Sequence, residues 1–141
     1  MTDTMSSQPD PLVGIVLVSH SAAVARAVAE LAGEITGGSA DVRVAPAGGG
    51  PDGGLGTSSD LIVTAARSVD QGMGVAVLAD LGSAVLTVQA LLADDELPPG
   101  TRLVDAPFLE GTVAAVVTAS TGADLDAVEA AATEAYTYRK A

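Results

Sequence analysis

One histidine occurs in the 141 residues, His20, and its neighbours decide what chemistry it could carry. It follows an uncharged run of β-branched residues and leucine, residues 12–18, that reads as a strand buried on both faces of a parallel sheet. Helical spacing begins at residue 22, so Ser19-His20-Ser21 joins the carboxyl end of that strand to a helix. In open α/β sheets this edge is where ligands bind. An imidazole held there can act as a nucleophile or proton carrier, although the same pattern fits a histidine on a solvated turn. Asp80 follows a second apolar strand in the same way. A carboxylate beside an imidazole can accept one ring N–H and leave the other nitrogen free to react; a turn aspartate gives the same local sequence. After it comes Leu81-Gly82-Ser83. A hydroxyl and free amides at a helix start favour a phosphate, and on pattern alone they equally form a helix cap.

These residues need elements to hold them. Residues 22–35 place Val24, Val28, Leu31 and Ile35 on one helical stripe, ended by Gly37-Gly38. Residues 41–45 alternate as a short edge strand, and a glycine-dense loop, 48–57, follows. Ser58 or Ser59 caps a helix with Leu61, Ile62, Ala65, Ala66 and Val69 as its apolar positions. Residues 74–79 form the second apolar strand, 85–93 a helix, 102–106 a short strand, 113–120 a helix after a lead-in at 107–112, and 125–138 a last alanine-rich helix. The order β-α-β-α-β-α-β-α-α predicts an α/β fold: a parallel sheet covered on both sides, in three layers. Residues 1–10 are polar and read as a tail, leaving residues 11–139 as one domain.

Composition closes several routes. Six basic and 18 acidic residues give a net charge of −12, which repels a nucleic-acid backbone and suits a partner with a basic face. Aromatic residues make up 2 %, too few for a base-stacking platform or a flavin site. There are no cysteines, and one histidine with scattered carboxylates is a poor metal-ligand set, so no metal or cofactor is expected. No apolar run is long enough to span a membrane and no signal peptide opens the chain, so a cytoplasmic protein is the expectation. Gly48, Gly50 and Gly53 spell a Gly-x-Gly-x-x-Gly, but after the wrong strand and with Pro51 inside it, so it is no dinucleotide fingerprint; it reads as a flexible flap beside the site. Lys140 is the single lysine and lies outside any Walker motif, and the hydrolase elbow Gly-x-Ser-x-Gly is missing.

Taken together, Val18-Ser19-His20-Ser21, Gly56-Thr57, Asp80-Leu81-Gly82-Ser83-Ala84 and residues 106–112 (Ala-Pro-Phe-Leu-Glu-Gly-Thr) closely resemble one family. It comprises the phosphotransferase subunits of phosphoenolpyruvate-dependent dihydroxyacetone kinases, within the mannose-type IIA domains of the bacterial sugar phosphotransferase system. The resemblance runs from about Leu12 to Tyr138. It implies a four-stranded parallel sheet of order 2-1-3-4 and a homodimer. It also implies that His20 takes a phosphoryl group from the carrier protein HPr. His20 would pass that group to ADP held on the nucleotide-binding kinase subunit, and the ATP formed would phosphorylate dihydroxyacetone on a third subunit. In this correspondence Asp80 orients His20; Ser21, Gly82 and Ser83 contact the phosphate; and Gly56 and Thr57 belong to a flanking loop. A sugar-specific mannose-type IIA domain that feeds a membrane permease is the alternative.

Overall fold

A computed structural model describes residues 10–37 and 41–141; apart from Asp10, the expected tail lies outside the described residues. Four strands, β1 (Gly14–Ser19), β2 (Val44–Gly48), β3 (Val75–Ala79) and β4 (Thr101–Leu103), form one sheet in the order β2-β1-β3-β4. Every pairing is parallel. Between and after them run α1 (Ala22–Ile35), α2 (Ser59–Val69), α3 (Gly82–Ala93), α4 (Phe108–Ser120) and α5 (Leu125–Glu134), with a 3-10 turn at Ala135–Thr137.

The continuous apolar run of β1 is explained by its position. It is paired on both sides, and all six of its residues are buried. Ile15 and Leu17 face a core shared with α1, α4 and α5, whereas Val16 and Val18 face a core shared with α2 and α3. The period-two alternation of strand side chains thus supplies both layers from one strand. Each fully buried Val, Leu or Ile contributes about 1.5–3 kcal/mol, so β1 is a rigid base for whatever follows it.

Several boundaries differ from the sequence expectation, among them the last helix, which ends at Glu134 and gives way to the 3-10 turn. The second strand begins at Val44 and runs through Pro46 to Gly48, because an edge strand with one unpaired side tolerates a residue without an N–H. The lead-in at 107–112 is largely helical already: α4 starts at Phe108 and continues through Gly111. A Cβ at Gly111 would stand 2.7 Å from Ala106 Cβ and 3.3 Å from Leu78 Cδ2, so this glycine lets the helix lie close on β3. The α3 helix likewise starts three residues early, at Gly82, while the fourth strand is shorter and ends at Leu103. The stripe on α1 is also displaced. Ala25 and Ala32 are its buried residues, with Val28 and Ala29 packed beside them, while Val24, Leu31 and Ile35 remain 44 %, 39 % and 50 % exposed. Small alanines let the helix approach the sheet closely, and the larger residues are pushed to the rim.

Candidate active site

The order β2-β1-β3-β4 sends the chain leftward from β1 and rightward from β3, so the carboxyl ends of these adjacent strands flank a switch point. Val18 pairs with Ala79, which brings His20 and Asp80 together across 60 positions of sequence. The Asp80 amide continues the ladder by donating to the Val18 carbonyl at 3.1 Å.

Asp80 is the hub. Its Oδ1 accepts from His20 Nδ1 at 3.0 Å and from the Leu81 amide at 2.7 Å. Its Oδ2 accepts from Ser19 Oγ at 2.8 Å and from the His20 amide at 3.1 Å. A carboxylate is an acceptor only, so in the neutral ring Nδ1 carries the proton and Nε2 keeps its lone pair. Burial alone would raise the Asp80 carboxyl, but the hydrogen bonds from Ser19, the His20 ring and the His20 and Leu81 amides outweigh it and hold the group below its ordinary value. The side chains of His20 and Asp80 are 23 % and 16 % exposed. The pair is fixed from below and open to a partner from above.

Nε2 faces Ser83 Oγ, with which it is in hydrogen-bond contact. Ser83 lies in the first turn of α3, whose N-cap, Leu81, supplies no side-chain cap. Ala84 and Val85 donate to the Leu81 carbonyl. The Gly82 and Ser83 amides, by contrast, donate to no described residue, as expected of helix-start N–H groups without a cap. Nε2 therefore meets a hydroxyl on the first turn of a helix whose Gly82 and Ser83 amides are free of described partners, a setting suited to an anion.

Ser21 stands on the opposite flank as the N-cap of α1. Its Oγ accepts from the Val24 amide at 3.3 Å, and its own amide donates to Ser19 Oγ at 3.1 Å. Gly56 and Thr57 reach the site through the backbone: the Gly56 amide donates to the His20 carbonyl at 3.0 Å, and Thr57 makes an isolated parallel bridge with Gly49. The Thr57 hydroxyl is buried and lacks a hydrogen-bond partner. The glycine loop is closed on itself by Gly50 and Gly54, whose backbones bond at 2.7 Å. Gly48 must be glycine, since a Cβ would stand 2.5 Å from the Ser21 carbonyl oxygen; its absence lets β2 pass beneath the start of α1. Among the described residues no group of three or more His, Cys, Asp and Glu could hold a metal, and no helix is long and apolar enough to cross a membrane.

Sequence reasoning missed Ser19, which is wholly buried and bridges Asp80 to the Ser21 amide. Its signal was present, a lone hydroxyl ending an otherwise apolar strand.

A parallel sheet with a histidine–aspartate pair at its switch point, and a serine hydroxyl at a helix start opposite the ring, defines a class of α/β domain with an aspartate-backed imidazole at the sheet edge. The sequence matches the model of one family, EIIA-man, described as the PTS system fructose IIA component, over residues 14–129. The chain belongs to this family. It is 38 % identical over 120 residues to a protein of Pantoea ananatis named "PEP-dependent dihydroxyacetone kinase, phosphoryl donor subunit DhaM", and 36 % identical to the protein of the same name in Escherichia coli. Each match covers 83 % of this chain and 25 % of the relative, so the chain spans about a quarter of the length of these relatives. A protein of Listeria innocua, named as phosphoryl donor subunit DhaM of its dihydroxyacetone kinase 2, is 33 % identical over 75 % of this chain and 85 % of its own length. The crystal structure of EF1359, described as a protein of unknown function, superposes with a TM-score of 0.74 at 34 % identity, covering 87 % of this chain and 94 % of that one.

Proposed function

We propose that this chain is the phosphocarrier subunit of a phosphoenolpyruvate-dependent dihydroxyacetone kinase. The observation that carries the reading is the aim of His20 Nε2: proton-free, backed by Asp80 through Nδ1, and facing Ser83 and the start of α3. The Nε2 lone pair attacks the phosphorus of phospho-HPr, the donor's P–N bond breaks, and a P–N bond forms on His20. The Nδ1 proton stays where it is, and the positive charge that develops on the ring is met by the Asp80 carboxylate at 3.0 Å. The Ser83 hydroxyl turns from Nε2 to a phosphoryl oxygen, and the Gly82 and Ser83 amides take up charge beside it, so positioning and electrostatics supply the catalysis. Attack by the β-phosphate oxygen of ADP on the nucleotide-binding subunit reverses these steps and returns the lone pair to Nε2. The ATP so formed phosphorylates dihydroxyacetone on a third subunit. The names of the relatives, phosphoryl donor subunits of dihydroxyacetone kinases, support this reading. The family description, a fructose IIA component, favours the second reading, transfer to a sugar permease.

The same reading makes the chain a cytoplasmic homodimer. The stripe Val24, Leu31 and Ile35 offers the joining face, and Arg26 beside Glu30 and Glu34 can pair across two antiparallel copies of α1.

The test is a reconstituted relay. Phosphoenolpyruvate, enzyme I and HPr should add one phosphate to the chain, labile in acid and stable in alkali. His20→Ala should fold and accept none, because a partly exposed turn residue outside both cores contributes little to packing. The ADP-loaded nucleotide-binding subunit should discharge the phosphate, whereas free ADP should not. Phosphate that survives acid, or that appears on the alanine variant, would sink the carrier role; discharge only by a permease component would replace the acceptor.

A further inference from the structure

Beside the site, where β3 and β4 end, lies an open cleft of about 470 Å³. Its lining is mixed: Leu81, Val85 and Leu103 supply apolar surface, and Asp80, Gln89, Asp105 and Tyr136 supply polar groups. Asp105 is held in place twice. Its backbone carbonyl accepts from Thr133 Oγ1 at 2.8 Å, and its Oδ1 accepts from the Tyr136 hydroxyl at 2.7 Å. No described cation pairs with it: Arg102 is engaged by Asp126 and Glu129, and Lys140 by Glu110. The cleft therefore presents a positioned carboxylate, with no described cation beside it, next to the apolar surface of Leu81, Val85 and Leu103. Tyr136 and Asp80 also line it.

That arrangement selects its occupant. A phosphate or nucleotide is disfavoured by the Asp105 carboxylate, which no described cation offsets. A neutral molecule gains nothing from the Asp105 charge. A long aliphatic stem ending in a cation satisfies the walls, the carboxylate and the ring at once. Because the cleft shares Asp80, Leu81 and Gly82 with the phosphoryl site, a protein seated over His20 is the body that can deliver such a side chain, and the net charge of −12 draws a basic face towards it. We propose that this cleft is a socket for an arginine or lysine side chain of the protein that phosphorylates His20. The socket sets how that protein docks, and it rests on the carrier reading above.

The experiment follows transfer from phospho-HPr to the full chain, separating KM from kcat, for the native protein and three variants. Asp105→Asn keeps an acceptor for the Tyr136 hydroxyl but loses the charge. It should raise KM by about three- to tenfold, the effect of a lost partly exposed ion pair, and flatten the dependence of KM on salt. Val85→Phe, which fills the cleft, should raise KM similarly. Asp94→Asn, at the far end of α3, loses the same charge away from the cleft and should leave KM unchanged. Melting curves establish that each variant is folded. A native chain that takes no phosphate from phospho-HPr overturns the carrier reading and the socket with it. If the native chain is phosphorylated, three results overturn the socket alone: an unchanged KM for Asp105→Asn, an effect of Val85→Phe without one of Asp105→Asn, or an equal effect of Asp94→Asn.

Discussion

A single carboxylate organises the site, and it does so by having every lone pair occupied. Asp80 accepts four hydrogen bonds, from Ser19, the His20 ring and the His20 and Leu81 amides, so it cannot rotate to a new partner without breaking several at once. Asp80→Ala should leave a folded protein whose phosphorylation by HPr is slowed roughly ten- to a thousandfold, the cost of lost orientation and charge compensation, as a quench assay would read. The depressed carboxyl also has a stability consequence of definite sign. Stability from Asp80 is fully present above the ordinary carboxylate value and is lost as pH falls through the lower, folded-state value. The urea stability of the native chain should therefore exceed that of Asp80→Asn at neutral pH by more than it does at about pH 3. Ser19→Ala should cost about 1–3 kcal/mol, because the Ser21 amide loses its acceptor, and should slow transfer as well; an unchanged denaturation midpoint would remove Ser19 from the site. His20, Asp80 and Ser83 were legible in the sequence because each stands where an apolar strand gives way to a helix. Ser19 was not, since a hydroxyl at a strand end points inward or outward with equal ease until its partner, 61 positions away, is placed.

The elements were read more easily than their faces. Alternating apolar runs and helical spacings announce a parallel α/β sheet, and the order 2-1-3-4 came with the family resemblance. What periodicity could not supply was close approach. On α1 the eye follows Val24, Leu31 and Ile35, whereas the sheet accepts Ala25 and Ala32, since a small residue seats a helix nearer a strand than a large one. Gly111 resembles a helix breaker until Ala106 and Leu78 are set against it. Gly48 resembles the start of a loop but is the last residue of a strand crossing under Ser21 and Ala22. Gly48→Ala should accordingly cost about 1–3 kcal/mol of overpacking in a urea titration. It should also slow phosphorylation, because the backbone that must shift is the one that holds Ser21 next to His20. Loss of stability with an unchanged transfer rate would confine the role of this glycine to packing.

For the whole molecule, surface composition speaks to company kept. Leu31→Glu, in the middle of the exposed stripe on α1, should convert a homodimer to monomer in light scattering while leaving the helix content intact; a native chain already monomeric at high concentration would dismiss that face. The switch point carries a consequence of another kind. His20 and Asp80 meet only when β1 has paired with β3, and the intervening chain holds two helices and an edge strand. Closing so long a loop is entropically slow compared with forming any single helix. A nascent chain released with β1 and α1 already formed, but with the centre of the sheet still open, displays the imidazole without its carboxylate. On the carrier reading, readiness to be charged would therefore report on the maturity of the fold: a chain whose central strands had not yet zipped together would be charged slowly, as Asp80→Ala is expected to be.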